Sequence, residues 1–356
     1  ARLSELGVDA LLLSVGPDLP YLTGYEAMPL ERLTMLVLPA EGDATLVVPR
    51  LEAPRVVERP DVFALRPWEE TEDPVAIVAG LVGGAGTLAI GDRTWARFLV
   101  ELQTALPAAR FSGSRAVVGP LRARKEPGEI DALRRAGAAA DRVAADLQRG
   151  EIELVGRTEA EVSTDLARRL RAEGHRRVNF AIVAAGVHAS SPHHDAGDHV
   201  IQEGEAVLCD FGGTMVDAEG IGYCSDITRC VQLGEPTPEA AEAYAVLLEA
   251  QRAAVAAAVV GTPCEQIDAA ARRIITDAGW GDQFIHRTGH GIGIEEHEDP
   301  YIVAGNGERL EAGHAFSIEP GIYVPGRFGF RLEDIVVASD AGPDSLNRAD
   351  HDLALL

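Results

Sequence analysis

The sequence predicts an α+β protein of two domains, an N-terminal α/β domain over residues 1–120 and a larger domain over 121–356. Three observations predict this. The chain has 356 residues, more than one hydrophobic core usually fills. Residues 1–115 alternate short apolar runs with segments of helical spacing, whereas the second half groups its helices between sets of strands. All 10 histidines lie between His175 and His351, so the two halves also differ in chemistry.

In chain order, buried strands are predicted at Asp9–Ser14, Met35–Pro39, Ala44–Pro49 and Thr87–Gly91, where apolar residues run together. Helical spacing falls near 51–59, 74–83 and 95–106. The Gly83-Gly84-Ala85-Gly86 cluster reads as a turn before a strand, and no phosphate loop is present. The pattern breaks near 116–128, a stretch with two prolines, a basic cluster and the only lysine, Lys125, and the domain boundary is placed there. A helix is expected from Pro127, which suits a first turn, to about Gln148, with Gly150 as its stop. Thr158 and Glu161 stand at capping-box spacing and open another helix. Thr237-Pro238-Glu239 starts an alanine-rich helix that Gly261 closes, and a further helix runs from about Cys264 to Ala278, ended by Gly279. Strands are expected at Phe180–Ala184, Ala206–Asp210, Ser225–Val231, His314–Glu319 and Arg331–Ala338.

Composition removes several functions. The net charge of −24 opposes nucleic acid, whose phosphates want a basic face, and opposes an anionic membrane surface. No apolar run approaches the ~20 residues of a membrane span. No secretory leader is legible at Ala1, and the expected location is the cytoplasm. The four cysteines, at 209, 224, 230 and 264, form no C-x-x-C pair, which rules out a zinc ribbon and suits reduced, buried thiols.

The second half repeats one motif design. Asp210, Asp226, Glu319 and Glu333 each stand at or beside the end of an apolar, strand-like run. An acid buried there without a partner costs several kcal/mol. Each has a structural reading when taken singly: Asp226 pairs with Arg229, Glu333 with Arg331, Glu319 turns the chain before a proline, and Asp210 caps a turn. Taken together with HRTGHGIGIEEH (286–297), which packs three histidines among small residues, they call for cations. Carboxylates with one imidazole suit Mn²⁺, Co²⁺ or Fe²⁺ better than thiolate-loving metals. Two such ions can share carboxylates and lower the pKa of a bound water.

These motifs resemble those of the creatinase/prolidase family of metallopeptidases, which share the pita-bread fold. The matching stretches are SSPHHDAGD (190–198), LCDFGG (208–213), GYCSDITRC (222–230), HRTGHGIGIEEHE (286–298), SIEPGIY (317–323) and GFRLEDI (329–335), in the family's order. The resemblance implies two divalent metal ions, Mn²⁺ first with Co²⁺, Zn²⁺ or Fe²⁺ as alternatives, held by Asp210, Asp226, His290, Glu319 and Glu333. It implies that His193, His297 and Arg331 line the substrate site, with His286 just outside the metal shell. Glu319 becomes the candidate proton shuttle. His188, His194, His199, His314 and His351 are read as structural or solvated. The segment between Asp210 and Asp226 is longer than in many relatives, and the extra residues are expected at a hairpin tip. A second departure is Cys230, where threonine is common.

The implied reaction is hydrolysis of an Xaa-Pro bond in a dipeptide, with an Xaa-Pro aminopeptidase acting on longer peptides as the alternative and a homodimer as the expected assembly. Three other readings stay open: a non-peptidase recognition module, a metal-free creatinase-like amidinohydrolase, and the methionine aminopeptidase branch. Intact ligands oppose the first two and the extra N-terminal domain opposes the third.

Overall fold

The computed structural model describes residues 1–217 and 220–356. They form two compact units, one built on Ala1–Leu121 and the other beginning at Arg122.

The first unit is a six-stranded sheet. Its strands are β1 (Ala10–Leu13), β2 (Met35–Pro39), β3 (Thr45–Pro49), β4 (Ala64–Trp68), β5 (Thr87–Ile90) and β6 (Arg110–Gly113), in the order β4-β3-β2-β1-β5-β6. Pairing is antiparallel from β1 to β2 to β3 and parallel elsewhere. Helices α1 (Arg2–Glu5), α2 (Asp18–Thr23), α3 (Pro74–Val82), α4 (Ala96–Ala105) and α5 (Arg115–Ala123) accompany it. β1 is buried at every position because successive side chains enter opposite cores, Leu11 and Leu13 one, Ala10 and Leu12 the other. β4 and β6 carry no apolar run: Arg66-Pro67 interrupts one and Arg110 and Ser112 dilute the other, as edge positions allow. The helix expected at 51–59 is only a single 3₁₀ turn, Ala53–Arg55: Val56 already takes an extended conformation, and Pro60 disfavours helical backbone at Arg59 before it. Conversely, α5 runs as helix through part of the stretch read as a break, with Pro120 inside it.

The second unit contains α6 (Pro127–Gln148), α7 (Glu159–Ala172), α8 (Pro238–Ala257) and α9 (Cys264–Asp277). Its strands are β7 (Arg177–Ala185), β8 (Ala206–Val216), β9 (Gly222–Gln232), β10 (Gly289–Gly291), β11 (Glu298–Ile302), β12 (Ala315–Ile318), β13 (Gly321–Val324), β14 (Phe328–Arg331), β15 (Asp334–Ser339), β16 (Gly342–Ser345) and β17 (Ala354–Leu355). They build three sheets, β17-β9-β8-β7, β11-β10-β12-β15-β16 and the hairpin β13-β14. The α6 start has a reciprocal Glu126–Glu129 capping box, and α7 has one between Thr158 and Glu161. At the end of α6, Gly150 takes φ +70°, a conformation that a side chain would strain.

Alternation within β8 and β9 sets the site. Val207, Cys209, Phe211, Ile227 and Val231 enter the core under α6 and α7. Asp210, Asp226 and Thr228 therefore occupy the opposite face. β8 and β9 form a hairpin in which Asp210 lies opposite Thr228 and Gly212 opposite Asp226. The acids are thus diagonal neighbours on one face. Of the extra residues expected at this hairpin's tip, 218 and 219 lie outside the described residues. The single strand expected at Arg331–Ala338 is two strands in different sheets: the chain leaves β14 at Arg331, and Glu333 bridges to Thr228 before β15 begins. All four cysteines are free and buried. Among the described residues no helix is long and apolar enough to cross a membrane.

Candidate metal centre

A cavity of about 590 Å³ opens in the second unit, and it is lined by Asp210, Asp226, His290, Glu319 and Glu333 together with His193, His286, His297 and Arg331. The donors come from separate pieces of chain. β8 supplies Asp210 and β9 Asp226. His290 sits in the middle of the short β10, flanked by two glycines. Glu319 follows β12, its N–H bonded to the Thr288 carbonyl at 2.7 Å. Glu333 occupies the junction between β14 and β15.

Small residues make this convergence possible. A Cβ on Gly289 would overlap the Ser317 carbonyl, and one on Gly291 would overlap the Asp299 carbonyl. Only glycine lets β10 approach its neighbours this closely while His290 points into the cavity. Ser317 Oγ accepts the His290 N–H at 3.1 Å and donates to Glu319 Oε1 at 3.1 Å, which ties β10 to β12.

The hydrogen bonding leaves negative charge unanswered. Asp210 Oδ1, Asp226 Oδ1 and Glu333 Oε1 are buried and have no partner among the described residues. Single ligand atoms of Asp226, His290 and Glu333 all lie within 4.8 Å of one another. His290 Nδ1 faces its neighbour's carbonyl, Gly291 O, at 3.1 Å and must donate to it. In the neutral ring Nε2 then carries a lone pair, yet it points at Glu319 Oε1, 3.1 Å away. Two acceptors face each other, an arrangement that a cation between them resolves. Four carboxylates and one imidazole fit divalent ions of the Mn²⁺ to Zn²⁺ range.

Electrostatics agree with that fit. Burial, then the neighbouring charges of Glu333, Asp210 and Glu319, raises Asp226 well above the ordinary carboxylate range. Burial, then Glu319 and Asp210, does the same to Glu333. Burial also raises Asp210, against the lowering pull of Arg331. Glu319 differs: burial works to raise it, but a His290 ring that carries a proton on Nε2, together with the charges of His286 and Arg331, prevails and holds it down at about 2; with the neutral ring, a cation between Nε2 and Oε1 would take that proton's place.

The structural readings of single acids turn out differently from the expected pairs. Arg229 does not meet Asp226. It lies on the other face of β9, where its Nη2 bonds Asp334 Oδ1 at 2.7 Å and its Nη1 bonds the Glu333 carbonyl at 2.7 Å. Arg331 makes no hydrogen bond to Glu333. Its Nη2 donates to Asp210 Oδ2 at 2.5 Å, while Glu333 Oε2 accepts from Thr228 Oγ1 at 2.7 Å.

The remaining expected residues lie at the cavity wall. His297 packs against His290 with ring centroids 4.0 Å apart, and burial, then His290, pushes its pKa down to about 4. Burial likewise lowers His286. His286 Nδ1 donates to the Arg287 carbonyl at 2.7 Å, so its Nε2 accepts from Tyr323 Oη at 2.9 Å, and Tyr323 Oη in turn accepts from Arg331 Nη1 at 2.8 Å. His193 is exposed at the rim. Lys125, paired with Glu298 Oε1 at 2.6 Å, is buried and steadies the segment beside His297. Tyr323, Thr228 and Ser317 were not singled out in the sequence. Each lies inside a matched motif, but nothing in the order of residues says which hydroxyl will reach a carboxylate or a guanidinium.

Similarity to known proteins follows the same geometry. The description of metallopeptidase family M24 matches residues 131–340, and that of the creatinase/prolidase N-terminal domain matches residues 1–124. The chain is 45% identical over 360 residues to a probable dipeptidase PepE of Mycobacterium tuberculosis, covering 100% of this chain and 94% of that protein. Its fold is similar to the crystal structure of dipeptidase PepE from Mycobacterium ulcerans, with a TM-score of 0.93, 45% identity and coverage of 100% and 95%. It is also similar to a prolidase from Thermococcus sibiricus, with a TM-score of 0.92, 35% identity and coverage of 100% and 96%. The two-domain pita-bread architecture is thus established for this chain, and such a family implies divalent metal ions. With both descriptions and whole-length relatives in agreement, the chain belongs to metallopeptidase family M24 and is a peptidase.

Proposed function

We propose that the chain is an Xaa-Pro dipeptidase that uses two divalent cations, Mn²⁺ foremost, bound by Asp210, Asp226, His290, Glu319 and Glu333. The observation that carries this reading is the set of buried, unpartnered oxygens on Asp210, Asp226 and Glu333 around one cavity, with His290 Nε2 aimed at Glu319. The dipeptidase and prolidase names of its relatives support the substrate class. The catalytic residues all belong to the proposed domain 121–356, and the protein is proposed to work in the cytoplasm as a homodimer.

When bound, the cations polarise the scissile carbonyl and lower the pKa of bound water. The chain's own residues do the rest. Glu319 takes the proton of the attacking water and passes it to the prolyl nitrogen as the C–N bond breaks. The Ser317 hydroxyl, donating to Oε1 at 3.1 Å, holds the carboxylate in place for that transfer. His297, kept neutral by burial, offers an N–H to the carbonyl oxygen as it becomes tetrahedral, and His193 approaches from the rim. Arg331 occupies Oδ2 of Asp210 and leaves Oδ1 without a partner among the described residues. His286 orients Tyr323, and through it Arg331.

The test compares an Xaa-Pro dipeptide, an Xaa-Pro-Yaa tripeptide and a dipeptide lacking proline, each with Mn²⁺ and after chelation. Metal-dependent turnover of the Xaa-Pro dipeptide above the others is expected. Preference for the tripeptide would make the enzyme an Xaa-Pro aminopeptidase. Hydrolysis that survives chelation would remove the metal reading.

A further inference from the structure

A second histidine cluster lies outside the catalytic cavity. Its centre is Glu159, the first residue of α7, which is fully buried. Oε1 of Glu159 accepts the Ala185 N–H at 2.9 Å and faces His188 Nδ1 at 3.0 Å. Oε2 faces His194 Nε2 at 2.7 Å and accepts the Gly197 N–H at 3.3 Å. The His188 and His194 rings lie 4.5 Å apart, centroid to centroid. None of these residues lines the catalytic cavity.

We propose that Glu159, His188 and His194 form a mononuclear site for a borderline divalent ion of the Zn²⁺ class, separate from the catalytic pair. One ligand atom from each residue lies within 4.8 Å of the others. Zn²⁺ binds imidazole nitrogen and carboxylate oxygen at about 2.0–2.2 Å, which places tetrahedral donors about 3.3–3.6 Å apart. The two contacts fall on different oxygens, His188 Nδ1 on Oε1 at 3.0 Å and His194 Nε2 on Oε2 at 2.7 Å, so both rings would draw back from the carboxylate to admit an ion. An ion between the three groups would replace the two ring-to-carboxylate contacts. The side chain of His188 is 39% exposed, so an ion can enter and a water can take the fourth position. The Ala185 and Gly197 N–H groups stay on the carboxylate and fix its plane, as outer partners of metal ligands do.

Donor chemistry separates this site from the catalytic one. Two imidazoles and one carboxylate favour Zn²⁺ over Mn²⁺, whereas the oxygen-rich cavity accepts Mn²⁺ readily. The ion joins the start of α7 to the segment carrying His194, whose neighbour His193 reaches the cavity rim. Occupancy therefore restrains the approach of His193 to substrate.

Crystals of the full chain grown with Mn²⁺ and soaked in a small excess of ZnCl₂, with data collected on both sides of the zinc edge, test the proposal directly. A zinc peak enclosed by Glu159, His188 and His194 is expected, and no peak there overturns it. Metal content after dialysis gives a second readout. The double variant His188→Gln/His194→Gln should lose one Zn²⁺ per chain while keeping its Mn²⁺, and unchanged Zn²⁺ content would equally overturn the assignment. Should the variant fail to fold, the soaked wild-type crystal decides.

Discussion

Arg331 Nη2 and Asp210 Oδ2 form a 2.5 Å ion pair with both side chains largely withdrawn from water, 3% and 12% exposed. The same guanidinium reaches Thr228 Oγ1 at 3.1 Å and Tyr323 Oη at 2.8 Å. Breaking a buried pair from one side costs about 3–5 kcal/mol, because the abandoned charge stays buried. Arg331→Met should lose that much in denaturant unfolding with EDTA present. A Mn²⁺ ion held by Asp210 as proposed would bring positive charge to it, so the loss should shrink when Mn²⁺ is added. Equal losses in both conditions would argue that Asp210 never meets a metal.

Glu319→Gln keeps an oxygen donor at the same place but cannot take a proton. The variant should retain most of its Mn²⁺ and lose about 10²–10⁴-fold in kcat on an Xaa-Pro dipeptide. A rate within tenfold of wild type, measured at matched metal content, would transfer the proton-shuttle role to another group.

His314 offers a pH test away from the metal donors. Burial, then the charge of Lys125, pushes its pKa down to about 4, and its Nδ1 accepts the Glu311 N–H at 3.4 Å. The unfolded value is about 6.5. Between about pH 4 and 6.5 the unfolded chain binds more protons, so stability rises with pH through that window. The contribution is fully present above about pH 6.5 and is lost as pH falls through about 4, roughly 3 kcal/mol in all. His314→Gln should flatten this acid limb in unfolding titrations; a limb of unchanged slope would place the cause elsewhere.

Gly289→Ala and Gly291→Ala should each cost about 1–3 kcal/mol or more, since the added methyl must push β10 off a neighbouring carbonyl. Both should also weaken Mn²⁺ binding in calorimetric titration, because His290 moves with the strand. Gly307→Ala, which meets open space, is the control and should leave both quantities unchanged. Full metal affinity in the β10 variants would mean that His290 is not held by this close approach.

Much of the fold was legible because local chemistry announced it. Pro127, Thr158 and Pro238 opened helices where caps and first-turn prolines predict them. Long apolar runs gave β1, β2 and β5. What escaped had weak local signal: the edge strands β4 and β6, the three-residue β10, and the break at Leu332-Glu333 that divides β14 from β15. Such elements exist because neighbours pair with them, and a neighbour's position is not written in a short window of sequence.

By itself the sequence determined the inventory: which acids stand in apolar runs, which histidines stand among glycines, and in what order they occur. Tertiary structure decided the partnerships. It turned Arg229 toward Asp334, gave Arg331 to Asp210, and left one buried oxygen each of Asp210, Asp226 and Glu333, residues that line one cavity, without a partner among the described residues. The physical reason is that strand alternation assigns each side chain a face, but only sheet pairing over a hundred or more residues determines what that face meets.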